Sequence, residues 1–320
     1  MTPSPTTTGP HPANPPARST AAATPAVAVD RVSRSFAAVT ALDDVSLTVA
    51  RGESVGILGP NGAGKSTLLA LLAGTRRPGR GSVRVLGGDP RDPATRRRLG
   101  CTPQQTGLPA TLRVGEVVDL VAGHFPDPVP RGELLERFGL AELTRRQCGG
   151  LSGGQQRRLC VALAFAGRPD VVLLDEPTSG LDVTARRALW EAVRGFTAAG
   201  GTLLLSSHHL EEVEALSERV VVLGGGRVLA DGPVADVRSR VALRRVRLRL
   251  PAGVPEPVGA AGAGTCVRDG ERVELLVPDA DGLVRDLVCR QVPFCDLEVS
   301  PASLEDAFLA ITGAERGGRR

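Results

Sequence analysis

Three observations predict an α/β fold. Short apolar runs alternate with helix-forming stretches from residue 27 to about residue 240. One run, residues 53–58, leads into the glycine-rich stretch Gly59-Pro60-Asn61-Gly62-Ala63-Gly64-Lys65-Ser66 and then into a helical segment. Another, Val171-Val172-Leu173-Leu174, is apolar without alternation, as expected of a strand buried on both faces of a parallel sheet.

In chain order, residues 1–26 are rich in Pro, Thr, Ala and Ser and read as a disordered tail. Strands are expected at 27–29, 47–49 and 53–58, with a helix at 67–73 after the glycine loop. Residues 76–150 are mixed, with helical stretches at 114–122 and 132–138. An amphipathic helix at 155–166 precedes the apolar strand. A helix at 184–198 and strands at 202–206 and 220–223 complete a unit of 27–240. Beyond it the texture changes. Strands at 246–250 and 272–277 and helices at 283–289 and 304–311 form a small α+β appendage, residues 241–313, before a short tail at 314–320.

The spacing Gly-x4-Gly-Lys-Ser is that of a P-loop, and it lies between a strand and a helix as that motif requires. Lys65 is the only lysine in the sequence. Its ammonium is a compact point charge, whereas arginine is a wide planar fork. A cradle of backbone N–H groups has room for the first. Gly59 through Thr67 are therefore expected to hold nucleoside triphosphate phosphates on backbone N–H groups and a helix N-terminus. Lys65 would meet the β- and γ-phosphates, and the Ser66 hydroxyl would reach Mg²⁺. Asp175 and Glu176 end the apolar strand at the carboxyl edge of the sheet, beside those phosphates. Asp175 can hold Mg²⁺ through water, and Glu176 can polarise the attacking water as general base.

Leu151-Ser152-Gly153-Gly154-Gln155 resembles the signature of the ATP-binding cassette (ABC) ATPases. The resemblance covers about residues 27–241. It implies a P-loop NTPase cassette that binds ATP and Mg²⁺. In that family Ser152, Gly153, Gly154 and Gln155 would cap the γ-phosphate of ATP held by an opposing subunit. Phe36 matches the aromatic that stacks on adenine. Gln104 matches the glutamine that senses Mg²⁺ and water and links to the membrane partner. Asp182, in Ser179-Gly180-Leu181-Asp182, matches the loop that communicates across the dimer. His208 matches the switch histidine on the γ-phosphate, with His209 a bystander.

The stretch from Arg186 to Val237, with Ser206-Ser207-His208-His209-Leu210-Glu211-Glu212, resembles the drug-resistance branch that serves ABC-2 type exporters. So does Leu304-Glu305-Asp306-Ala307-Phe308 near the end. The implied partners are a second ATPase subunit, most simply a homodimer, and a separate permease. An importer ATPase shares the chemistry and is the alternative. A soluble cassette acting on ribosomes or DNA is a third reading, disfavoured because neither a second cassette nor an insertion is visible.

The formal charge of +4 and the few aromatics give no reason to expect nucleic acid. Six cysteines lack C-x-x-C spacing, so reduced thiols are expected rather than zinc or disulfides. No apolar run approaches the roughly 18 residues of a membrane span, and no signal peptide is evident. The expected location is cytoplasmic, peripheral on the inner face of the membrane through the permease.

Overall fold

The computed structural model describes residues 24–102, 107–239, 243–251, 253–255, 265–308 and 311. The tail at 314–320, residues 1–23 of the first tail, and Gln104 lie outside these.

Strands β1 (Val27–Phe36) and β2 (Val39–Val49) form an antiparallel hairpin. Both run further than the sequence pattern predicts. Register shifts after Val29, Val32 and Arg34 break the two-residue alternation, so the pattern fades while the ladder continues. The buried β3 (Ser54–Leu58) leads through the glycine loop into α1 (Lys65–Leu72). Strand β4 (Arg80–Val85) then pairs with β1, giving a sheet of order β2-β1-β4. Its mostly exposed residues carry no apolar signal.

A short α2 (Pro93–Arg96) leads to β5 (Leu99–Cys101). Helices α3 (Val114–Ala122), α4 (Arg131–Arg137) and α5 (Gly153–Ala164) follow. Then come β6 (Val171–Asp175), α6 (Val183–Ala198), β7 (Thr202–Ser206), α7 (Leu210–Leu216), β8 (Arg219–Gly224), β9 (Arg227–Pro233) and α8 (Val234–Ser239). The central sheet has the order β5-β6-β7-β3-β8-β9 and is parallel except for β9. Successive side chains of a strand point to opposite faces. Val172, Leu174, Leu203, Leu205, Val220 and Val222 accordingly enter one core, beneath α3 to α7. Val171, Leu173, Leu204, Val221, Val55 and Ile57 enter another, against α1 and the β2-β1-β4 sheet. Two cores explain why these strands read as continuous apolar runs.

The appendage contains β10 (Arg244–Arg249), β11 (Thr265–Asp269), β12 (Arg272–Val277), α9 (Ala280–Cys289) and β13 (Cys295–Pro301). Its antiparallel sheet has the order β11-β12-β10-β13. Val246, Leu248, Val273, Leu275 and Val277 pack on Leu283 and Leu287 of α9. On the sheet's polar side, Arg247 and Arg249 pair with Glu274, Glu271 and Asp296. These pairs are solvent-exposed and contribute little to stability.

None of the described residues after β13 joins that small core. Residues 304–308 are helical, and Leu304 is buried in the first core of the larger unit, with Phe308 and Ile311 packed against it. Arg238 Nε donates to the Ala302 carbonyl at 3.1 Å, and the Leu304 N–H donates to Glu214 Oε1 at 3.3 Å. The segment that the sequence groups with the appendage thus closes the preceding unit. Burial pushes the Asp306 carboxyl up, but hydrogen bonds from Ser303 and the Arg245 guanidinium outweigh it and hold Asp306 below the usual carboxylate range.

Leu304→Ala should lower unfolding free energy by about 2–5 kcal/mol in urea denaturation, against under about 1 kcal/mol for the exposed Leu297→Ala. A depressed carboxylate stabilises the fold above its unfolded pKa of about 3.9 and loses that contribution as pH falls through the folded value. The stability deficit of Asp306→Asn should therefore be full at about pH 7 and shrink below about pH 4. Equal deficits at both pH values would rule out this account.

Candidate functional site

Three loops leave the carboxyl edge of the central sheet side by side. Ile57 of β3 and Asp175 of β6 both pair with Ser206 of β7. The ladder therefore aligns the glycine loop, the Asp175-Glu176 pair and the segment running to His208.

Gly64 has φ +103°, and a Cβ there would lie 2.4 Å from the Ala41 carbonyl oxygen. Only glycine fits this turn. The first bond into α1 runs from the Leu68 N–H to the Gly64 carbonyl, at 2.8 Å. The N–H groups of Lys65, Ser66 and Thr67 fall in the turn that has no intrahelical acceptor, which suits an anion. Lys65 is buried, and its Nζ donates to the carbonyls of Gly59 (2.7 Å) and Pro60 (3.2 Å). An incoming phosphate would compete for that ammonium. Residues 61–67 line a cleft of about 800 Å³ with Val39, Ala41, Glu176, Ser179 and His208. Phe36 is not in its wall, but its ladder partner Val39 is. The guanidinium carbons of Arg34 and Arg76 each stand 4.9 Å from the Phe36 ring centroid.

Asp175 is buried and accepts a hydrogen bond from Ser206 Oγ. Its N–H donates to Thr102 Oγ1 at 3.0 Å. Glu176 adopts φ +51°, a left-handed conformation costing about 1–2 kcal/mol for a residue with a Cβ. Backbone bonds hold it there. The Glu176 N–H donates to the Ser206 carbonyl at 2.9 Å, and its own carbonyl accepts from Arg157 Nε (3.2 Å) and Nη2 (3.0 Å). The turned backbone presents the side chain to His208, whose Nδ1 is hydrogen-bonded to Glu176 Oε2. The His209 ring lies 4.0 Å from that of His208, and burial followed by the His208 and Arg186 charges holds its pKa down. Ser66 and Asp175 offer a hydroxyl and a carboxylate, the hard oxygen donors Mg²⁺ takes.

Ser152 caps α5. Its Oγ accepts from the Gln155 N–H at 3.2 Å, and its own N–H donates to Gln155 Oε1 at 3.0 Å. This capping box explains the Ser-x-x-Gln spacing. A Cβ on Gly154 would lie 3.0 Å from the Gly180 carbonyl oxygen, so the helix start rests against the 179–182 loop. Asp182 caps α6, accepting from the Ala185 N–H at 2.8 Å. Ser152 to Gln155 and Asp182 line a separate cleft of about 940 Å³, which meets the P-loop cleft at Glu176 and Ser179. The structure thus brings Lys65, Ser66, Glu176 and His208 together and leaves Ser152 to Gln155 outside their cleft.

Sequence reasoning missed three contributors. Ser206 and Thr102 steady Asp175, and the signal was a hydroxyl at the carboxyl end of each strand. Arg157 is buried and also donates to the Asp175 carbonyl. It shares the helical stripe of Cys160, Val161 and Ala164, a position where a charge calls for buried acceptors.

Residues 42–179 match the ABC transporter family. The chain is 36% identical to the daunorubicin resistance ATP-binding protein DrrA3 of Streptomyces coeruleorubidus, over 91% of this chain and 97% of that protein. It is 36% identical to the Nod factor export ATP-binding protein I of Paraburkholderia xenovorans, over 91% and 98%. Among solved structures it is similar to an ATP-binding subunit of an ABC transporter, with TM-score 0.62, 31% identity and coverage of 67% and 92%. It is also similar to a dimeric ATP-binding cassette in a post-hydrolysis state bound to ADP and Pi, with TM-score 0.59, 27% identity and coverage of 65% and 98%.

Lys65→Ala should weaken nucleoside triphosphate binding about 10- to 100-fold by calorimetry, the worth of a charge-assisted contact, and abolish turnover.

Proposed function

The chain belongs to the ABC transporter family and hydrolyses ATP, and on that premise we propose that it powers an ABC-2 type exporter as the separate ATPase subunit. The observation that carries this reading is the reach of the similarity. A match over 91% of the chain must extend past residue 240 into the appendage, and the proteins matched are named for drug resistance and for export. The alternative, an importer ATPase, is not favoured by these names. The cargo would be a drug, an antibiotic or a lipid-like molecule. Among the described residues no helix is long and apolar enough to cross a membrane, so the translocation path would belong to a separate permease.

In the proposed cycle the cassette is residues 27–240 and the accessory unit 241–313, the last segment of which packs back on the cassette. ATP phosphates take the first-turn N–H groups of α1, and Lys65 exchanges the Gly59 and Pro60 carbonyls for phosphate oxygens. Mg²⁺, held by Ser66 and Asp175 with Gln104, would supply charge neutralisation on the phosphates. Glu176 draws the proton from the attacking water, and His208 holds the carboxylate through Oε2. Phe36 would meet the adenine once its arginine contacts yield. The cleft of Ser152 to Gln155 stands apart from the P-loop cleft, which supports two copies facing each other, each capping the other's nucleotide. Closure would be passed to the permease near Gln104.

Glu176→Gln should bind ATP like the parent while turnover falls at least about 100-fold, the usual worth of a general base, leaving an ATP-bound dimer by size-exclusion chromatography. Purified from its host's membranes, that variant should bring down a permease without a solute-binding protein. A solute-binding protein would redirect the proposal to import. Recovery with ribosomes or DNA alone would end it.

A further inference from the structure

Beneath the His208 loop lies a buried carboxyl that the hydrolysis chemistry does not use. Glu212, in the first turn of α7, is fully buried. Its Oε2 accepts from Ser207 Oγ at 2.6 Å, and Ser207 Oγ in turn accepts from the His209 N–H at 3.0 Å. The residues on both sides of His208 are thereby tied to one carboxyl. Burial pushes the Glu212 carboxyl up, and Ser207, the Thr178 hydroxyl and the Trp190 indole N–H oppose that rise. Thr178 Oγ1 and Trp190 Nε1 are buried, and among the described residues neither they nor Glu212 Oε1 has a partner in full hydrogen-bond geometry. Val213 and Leu216 of the same helix are buried in the apolar core. A carboxyl in such surroundings is costly unless it organises donors.

Each donor sits on a different working part. Ser207 precedes His208. Thr178 opens the loop that runs through Ser179 to Asp182. Trp190 lies on α6, which Asp182 caps. We propose that Glu212 is a positioning residue for ATP hydrolysis, joining the His208 loop to the 179–182 loop and α6 through one buried carboxyl and so setting His208 against Glu176. This rests on the roles assigned above to Glu176 and His208. Movement of the 179–182 loop when two cassettes pair would reach His208 through Thr178 and Glu212 without touching nucleotide.

The test is a double-mutant cycle on the full chain, reading kcat, KM and nucleotide affinity. Glu212→Ala and Thr178→Val should each lower kcat about tenfold, roughly one buried hydrogen bond, with KM for ATP within about twofold. Glu212→Gln keeps an acceptor and adds a donor, and should restore most of kcat. Because the effect passes through His208, Glu212→Ala should cost nothing further in the residual rate of His208→Ala. Equal losses with and without His208 would mark a general structural role and overturn the proposal, as would parental kcat in Glu212→Ala. If Glu212→Ala does not fold, Thr178→Val against His208→Ala reads the same coupling. Glu176→Gln, assayed alongside, keeps the two ideas apart. Parental turnover there would remove the base assignment, whereas additivity in the cycle removes only the role of Glu212.

Discussion

Parallel strands that share a hydrogen-bonded ladder must share a register, and the rest of this molecule depends on the register among β3, β6 and β7. Ile57, Ser206 and Asp175 fall in one row. That row sends the glycine loop, the carboxylate pair and the His208 segment out of the sheet beside one another. The same ladder distributes the apolar side chains. A slip of one residue in β6 would exchange Val172 and Leu174 with Val171 and Leu173 between the two cores, and carry Asp175 off the row. Burial on both faces therefore locks the site geometry far more firmly than the loops could themselves.

On this frame the chain places a locally unfavourable conformation. Glu176 is left-handed at the point where its carboxylate must face His208. Strain of this kind persists only where neighbours over-determine it. Here those neighbours are the Ser206 carbonyl on one side and the Arg157 guanidinium on the other. Arg157 lies on the helix that Ser152 caps, and Gly154 of that helix rests against Gly180. The start of α5, the carboxylate pair and the 179–182 loop thus form one mechanical unit. It separates two clefts that meet at Glu176 and Ser179, so a change in either has a short path to the other.

The appendage is tied to the larger unit from two sides. Its sheet has its own small core with α9, while the following segment returns to bury Leu304 under α7 and α8. Arg245 of β10 pairs with Asp306 of that returning segment, at 2.7 Å, and so fastens the sheet to it. The appendage is therefore held by packing and a partly buried ion pair as well as by the chain connection.

The alternation of elements and the motifs of the candidate site were legible in the sequence. The residue types at Gly59–Ser66, Ser152–Gln155 and Asp175-Glu176 have few other uses at those spacings, and doubly buried strands such as Val171–Asp175 announce themselves by continuous apolarity. Exposed strands such as β4 and β13 left no trace, because a side chain that meets water on a sheet surface is under no pattern constraint. Phe36 was legible as an aromatic, but not the two arginines around it, one of which is forty residues away. The contact between Gly154 and Gly180, the partners of Glu212 and the return of Leu304 to the larger core were likewise decided only by the tertiary structure. Each depends on residues distant in sequence meeting across a packed core, and local periodicity carries no information about which distant surfaces will meet.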